Sequence, residues 1–238
     1  MPALQATMIA PRLMRAFADT HSSARFIEIG ANDGVHFDPL RPYIAELDWR
    51  GVLIEPVPHV FERLVELYGD EERIRLENVA VTAEPGRREI FHVAADADPE
   101  GLPTWHDLLA SFDREHVVGH LGDAPSAEDR VTATTVECVT LESICAKHSM
   151  SAPDLIMIDA EGADGEIVES IDLGTIRPRL LVFEHEHIDP AQRARCEAAL
   201  HEAGYLLVAD GLDTWALDVR ADDGLSRRWR RITAELEA

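Results

Sequence analysis

Two spacings of apolar residues alternate along the chain. Short apolar or β-branched runs occur at RFIEIG, GVLIEP, RIRLENVAV, PDLIMIDAEG, RPRLLVFEHEH, GYLLVAD and DTWALDV. Their shortness and near-continuous hydrophobicity predict strands covered on both faces, as in a mostly parallel sheet. Between them, PLRPYIAELDW, HVFERLVELYG, LESICAKHSM, EIVESI and AQRARCEAALHEAG carry apolar positions at helical spacing. That order predicts an α/β fold with helices packed on both sides of the sheet. Only Gly211 and its neighbours separate the last two runs, so they read as a hairpin whose final strand is antiparallel to its partners.

The middle of the chain departs from this alternation. EPGR offers a turn into REIFHVA, a run expected to pair back as a hairpin. Residues 96–130, rich in Asp, Pro, Gly and His, then form a long excursion before the strand-like TATTVECVTL. Excursions of that length inside a compact domain act as lids or mobile segments. The expected organisation is one domain over residues 1–238, with a helical extension at 1–23, a lid-like insertion at 96–130 and a C-terminal helix at 220–238.

Composition narrows the partners. The chain has 238 residues, 46% of them hydrophobic, which suffices for a large core. With 45 acidic against 22 basic residues, its net charge of -23 repels phosphate backbones and anionic headgroups. Neither nucleic acid nor a membrane is expected as partner. The one basic cluster, Arg227, Arg228, Arg230 and Arg231, reads as a solvated face of the last helix. That tail and the N-terminal helix are candidate contacts of a homodimer. Three scattered cysteines suit neither a disulfide framework nor a zinc site. The N-terminal stretch carries Pro11, Arg12 and Arg15 where a signal peptide would be apolar, so a cytoplasmic location is expected.

Chemistry enters at GANDG, directly after the first strand. A parallel sheet places ligands at the carboxyl ends of its strands, beside the point where strand order reverses. Gly30 permits a sharp turn, and Gly34 permits close approach of a ligand or of neighbouring backbone. The second strand ends in Glu55, where a carboxylate can accept both hydroxyls of a ribose. A dinucleotide site would use the same acid, but it brings pyrophosphate to this loop and wants a third small residue there. Here the loop carries Asp33, with Glu28 pointing toward it. Acids in that position favour a ligand bearing an ammonium and a sulfonium, such as S-adenosylmethionine. Asn78 in LENVAV stands where an amide can reach adenine or simply end a strand.

The series FIEIGANDGVHFDPL, GVLIEPVPHVFERL, ENVAV, LIMIDAEGADGEIV and LVFEHEH resembles the FkbM-type methyltransferases, class I enzymes dependent on S-adenosylmethionine. The similarity spans residues 24–218, and its specificity lies in the order of the motifs. It implies a Rossmann-like three-layer sandwich with a seven-stranded sheet, and most often methylation of a hydroxyl oxygen. By the resemblance, Glu28, Gly30, Asn32 and Gly34 line the methionine end of the donor, Glu55 the ribose and Asn78 the adenine, with Asp159 also on the donor. Asp164 stands where the family often has Glu. The excursion with SFDREHVVGH is similar to a subgroup of the family.

On the acceptor side, Asp159, Glu161 and Asp164 follow the fourth strand, and Glu184, His185, Glu186 and His187 end the fifth. Methyl transfer is an in-line displacement, so the acceptor oxygen must be aligned and must lose its proton. One route uses a neutral histidine, His185 or His187, as base, with a carboxylate orienting its ring. The other uses Mg²⁺ held by Asp159 with Glu184 or His185, which acidifies the hydroxyl. Strand alternation sets His185 and His187 on one face and Glu184 and Glu186 on the other. His106, His116 and His120 are further base candidates should the insertion close as a lid, with Trp105 and Phe112 against the acceptor or pinning the lid. The expected acceptor is a hydroxyl on a small molecule or glycosyl group. An NAD-dependent oxidoreductase and a non-catalytic binding module on the same scaffold are the competing classes.

Overall fold

The computed structural model describes residues 9–98, 100–122, 124 and 126–235. Residues 1–8 of the expected N-terminal extension, 99, 123 and 125 of the insertion, and 236–238 of the last helix lie outside the described residues.

The apolar runs become strands β1 (Arg25–Ile29), β2 (Arg50–Ile54), β3 (Ile74–Glu77), β8 (Leu155–Ile158), β9 (Leu180–Glu184), β10 (Tyr205–Asp210) and β11 (Asp213–Asp218). They form one seven-stranded sheet in the order β10-β11-β9-β8-β1-β2-β3. All pairings are parallel except those of β11, which is antiparallel to both β9 and β10. The sheet is thus the mostly parallel one expected, with its last strand reversed. Strand order reverses between β1 and β8, so their carboxyl ends open a crevice at the centre of the sheet.

Successive residues of a strand face opposite sides, and here both sides are buried. On β1, Phe26 belongs to one core and Ile27 to the other, and Leu155 and Ile156 on β8 divide the same way. The first core is closed by α1 (Ala10–Ala18), α2 (Arg41–Glu46), α3 (Pro58–Tyr68) and α9 (Gly224–Ala234), with Phe17, Trp49 and Trp229 fully buried. The second is closed by α6 (Leu141–Lys147), α7 (Asp164–Ser170) and α8 (Pro190–Glu202). The result is the expected three-layer Rossmann-like sandwich. Helices α1 and α9 pack on each other, tied by Arg12 to Glu235 at 2.6 Å and Arg228 to Asp19 at 2.7 Å, so the basic tail is engaged within its own chain.

Two expectations need correction. RIRLENVAV is not one strand: β3 stops at Glu77, and Ala80–Val81 (β4) turns away into a second, four-stranded sheet ordered β4-β7-β5-β6. In that sheet β5 (Gly86–Val93) does not pair back on the VAV run. Its partners are β7 (Val131–Val139), from the far side of the insertion, and the two-residue β6 within it. The insertion has elements and a small core of its own. It holds a short 3-10 turn (His106–Leu108), β6 (Ala110–Ser111), α4 (Arg114–His120) and α5 (Ala127–Arg130), around a small core of Val93, Leu109, Val117, Leu121 and Ala127. Among the described residues no helix is long and apolar enough to cross a membrane.

Candidate active site

The turn after β1 sets the floor of the crevice. Gly30 adopts φ of 82°, and a Cβ there would meet the Asp159 carbonyl oxygen at 1.8 Å. Only glycine lets the β1 and β8 ends approach so closely. Two clefts, each about 510 Å³, meet at this point and share Ile29, Gly30, Asn32 and Asp159. One is largely apolar, lined by Ile54, Val79, Val81, Ile90, Leu108 and Phe112 with Glu55 at its edge. The other is acidic, lined by Glu28, Asp38, Asp159 and Asp213.

The acidic cleft holds more negative charge than its hydrogen bonds account for. Glu28 is fully buried, and burial, with Asp38 and Asp159 beside it, pushes its carboxyl well above the usual range. Asp159 is raised well above its ordinary value by burial, then by Glu161 and Asp164. Burial, with Asp159 and Glu161 nearby, lifts Glu184 to about 9, and burial lifts Asp213 to about 6. Glu28 Oε2, Asp38 Oδ2 and Glu184 Oε2 are buried without a hydrogen-bond partner. Buried carboxylates left unpaired are costly, so the cleft is built to receive positive charge.

The expected donor residues divide into three groups. Glu28, Gly30, Asn32 and Asp159 converge on the crevice. Glu55 joins them from β2, its carboxylate accepting from the Val57 and Asn32 backbone N–H groups at 2.7 and 3.2 Å, and burial raises it to about 7. Asn78 is exposed, and its amide donates to the Glu55 and Pro56 carbonyls at 2.8 and 3.1 Å, fixing the end of β2. Gly34 packs against α3 instead, where a Cβ would meet Leu64 and Tyr68 at 2.8 Å.

Asp33 also differs from expectation. Burial pushes its carboxyl up, but hydrogen bonds from His36 and Val35 outweigh that and lower it. It therefore closes its own loop rather than facing a ligand. The acid that stands beside Glu28 is Asp38, five residues further on, which the sequence reading passed over. Asp164 likewise serves structure: it starts α7 and accepts from the Ala160 and Gly162 backbone, with burial raising it to about 7.

Another cleft opens next to the apolar one, sharing Phe112, Glu161 and Ala163 with it. This third cleft, about 630 Å³, is lined by Arg88, Ser111, His116, Glu166 and His187 among others. Alternation along β9 does not separate Glu184 from His187, because the strand ends at Glu184 and the chain turns. His187 Nε2 lies 3.9 Å from Glu184 Oε1 and its ring 4.4 Å from that of His116. His185 turns elsewhere, its Nδ1 3.1 Å from the Thr214 hydroxyl, and it lines none of the three clefts. Burial, then the Arg193 charge, lowers the His185 pKa. Asp159 belongs to no group of three or more converging ligand residues among the described residues. Among the described residues, Glu184 comes within ligand distance of Glu161 and His187. His106 is bound to the Pro103 carbonyl at 2.6 Å.

A sequence model described as the methyltransferase FkbM domain matches residues 28–207. The chain belongs to the FkbM methyltransferase family. The match begins at Glu28 in the acidic cleft and runs through the insertion and both strand ends that form the crevice. Solved structures are similar to this chain at low identity. The FkbM methyltransferase of Methylobacillus flagellatus is similar over 82% of this chain and 44% of its own, at 13% identity and a TM-score of 0.47. This FkbM-family chain thus spans less than half the length of that protein. A precorrin-6y C5,15-methyltransferase from Geobacter metallireducens is similar over 91% of this chain and 90% of its own, at 10% identity and a TM-score of 0.40. A ribosomal protein L11 methylase from Lactobacillus delbrueckii is similar over 86% and 74%, at 11% identity and a TM-score of 0.40. No curated protein matches the sequence.

Proposed function

We propose that this FkbM-family methyltransferase uses S-adenosylmethionine to methylate a hydroxyl oxygen of a small molecule or glycosyl group. The observation that carries the reading is the junction at Gly30 of an apolar cleft and a cleft with unpartnered buried carboxylates. A donor with an adenosine end and an ammonium-bearing end matches both halves, whereas the pyrophosphate of NAD would face Glu28, Asp38 and Asp159. In this reading Glu55 takes the ribose hydroxyls, and Glu28 with Asp38 the ammonium. Bound there, the donor supplies a methyl group, which passes to the acceptor oxygen as the C–S bond breaks with its electron pair remaining on sulfur. The acceptor proton goes to the cluster of His116, Glu161 and His187 that lines the third cleft. Burial, then the His116 charge, lowers the His187 pKa, which keeps its imidazole neutral and able to accept a proton. Phe112, held under the Arg88 guanidinium at 3.7 Å, separates the donor cleft from the acceptor cleft.

Calorimetric titration with S-adenosylhomocysteine and, separately, with NAD tests the donor. Binding of the former alone is expected, and binding of NAD alone would sink the assignment. Transfer of labelled methyl from S-adenosylmethionine to a panel of hydroxylated small molecules and glycosides, with analysis of the product linkage, tests the acceptor atom. Labelling on nitrogen or carbon only would overturn O-methylation.

A further inference from the structure

Three histidines from two distant segments meet beside the acceptor cleft. His116 and His120 lie one turn apart on α4, so they share a helix face. His187 reaches them from the turn after β9. Ring centroids are 4.3 Å apart for His116 and His120, 4.4 Å for His116 and His187, and 5.0 Å for His120 and His187. One ring nitrogen from each lies within 4.8 Å of the others, and a carboxylate oxygen from Glu161 and from Glu184 converges on His187 within the same limit.

Packing alone accounts poorly for this grouping. Three imidazoles in mutual contact repel as soon as two of them are protonated, and apolar residues would fill the space without that cost. Glu184 Oε2 is buried beside them with no partner. The hydrogen bonds that do exist orient the rings: His120 Nδ1 bonds the His116 carbonyl oxygen at 2.9 Å, which leaves its Nε2 free, and His116 Nε2 lies 3.1 Å from Glu161 Oε2. A histidine anchored through one ring nitrogen to a backbone carbonyl is oriented to ligate through the other. Arg88, the cation lining the same cleft, is occupied by Phe112 and by Glu166 at 3.7 Å.

We propose that His116, His120 and His187, with Glu161, form a binding site for a divalent transition metal, of which zinc is the type, at the mouth of the acceptor cleft. Glu184 Oε1 lies 3.9 Å from His187 Nε2, outside this ligand set. Three imidazoles and one carboxylate suit zinc or its borderline neighbours and are a poor set for Mg²⁺, which takes oxygen ligands and water. Metal–nitrogen bonds of about 2.1 Å require the rings to close inward by only about an ångström. The site would tie α4 of the insertion to the end of β9, and because the metal would occupy a His187 ring nitrogen, the proton-accepting role given to His187 above belongs to the metal-free protein.

The test needs no donor and no turnover, so its outcome is separate from that of the function proposed above. Tag-free protein, stripped with a chelator, is titrated with Zn²⁺, Co²⁺ and Mg²⁺ by calorimetry, and Co²⁺ binding is followed by its visible absorption. One equivalent of Zn²⁺ and of Co²⁺ is expected to bind, Co²⁺ with a histidine-ligand spectrum, and Mg²⁺ far more weakly. His120→Ala, and His116→Ala with His120→Ala together, should weaken Zn²⁺ at least about a hundredfold. Unchanged affinity for S-adenosylhomocysteine, where the wild type binds it, or an unchanged circular dichroism melt shows that the variants fold. No stoichiometric uptake of Zn²⁺ or Co²⁺, uptake that both variants retain, or a preference for Mg²⁺ would overturn the site.

Discussion

Glu28 has Asp38 and Asp159 around it, and its Oε2 is unpartnered. Carboxyls raised in this way hold protons in the free protein and lose them when a cation arrives. Donor binding is therefore expected to release protons near pH 7, seen as binding heats that change with the ionisation enthalpy of the buffer; heats independent of buffer would contradict this. Glu28→Gln removes one acid from the cluster and should raise the melting temperature of the free protein at pH 8. The same substitution should weaken S-adenosylhomocysteine about 10- to 100-fold, since each tenfold corresponds to about 1.4 kcal/mol of lost attraction. Gly30→Ala belongs to another class: its methyl group would overlap the Asp159 carbonyl, which lies 1.8 Å from the position of that Cβ. A loss of more than about 3 kcal/mol in denaturant unfolding is expected for it, or no folded protein.

At the scale of elements, the insertion walls the third cleft through Ser111, Phe112, Asp113 and His116. Helix α4 has 7 residues, too few to be stable by itself, and it is held at its start by Asp113, which caps the Glu115 N–H at 2.9 Å. Ser111 ties the preceding strand to the β8 loop by donating to the Glu161 carbonyl oxygen at 2.7 Å, and it also accepts from Asp113 N–H at 3.2 Å. Ser111→Ala removes both bonds and leaves a buried carbonyl short of a partner, at a cost of about 1–2 kcal/mol. Amide hydrogen exchange over residues 111–120 should quicken, with S-adenosylhomocysteine affinity changed less than about twofold, because Ser111 belongs to the acceptor side. Equal protection of wild type and variant would show that the segment is held some other way.

Across the whole molecule, stability should fall as pH rises. Glu55 and Asp164 reach about 7, Asp213 about 6 and Glu184 about 9 in the folded protein, all led by burial. The unfolded chain releases these protons near pH 4, so between that value and the folded pKa the native state binds more protons. Their contribution is complete below about pH 4, declines as pH rises from there, and is gone once each folded value, from about 6 to about 9, has been passed. Asp218 works in the opposite sense: burial raises it, but Arg177 and Arg220 hold it at about 2, so its support fails only in acid. Thermal melts of the free protein should therefore peak near pH 5 and decline by several degrees toward pH 8.5, with S-adenosylhomocysteine reducing the decline. A melting temperature that rises over this range would refute the reading of the acidic cleft.

Apolar periodicity determined the strands of the central sheet, because a strand buried on both faces must be hydrophobic at nearly every position, and RFIEIG and PDLIMIDAEG have no other solution in water. The turn at Gly30 and the carboxylates at Glu28, Glu55 and Asp159 were legible for the same local reason, since each sits at a strand end that the sequence marks. Tertiary structure alone decided what those groups face. Asp33 and Asp38 occupy one loop and look equivalent in sequence, yet both oxygens of Asp33 are taken up by Val35 and His36, whereas Asp38 spends only Oδ1 on the Leu40 and Arg41 N–H groups and leaves Oδ2 beside Glu28. The pairing of β5 with β7 across the insertion, and the meeting of His116 and His120 with His187, join segments whose separation leaves no periodic trace. Local spacing records which face of an element is buried, whereas the packing of distant elements determines which polar groups share that burial.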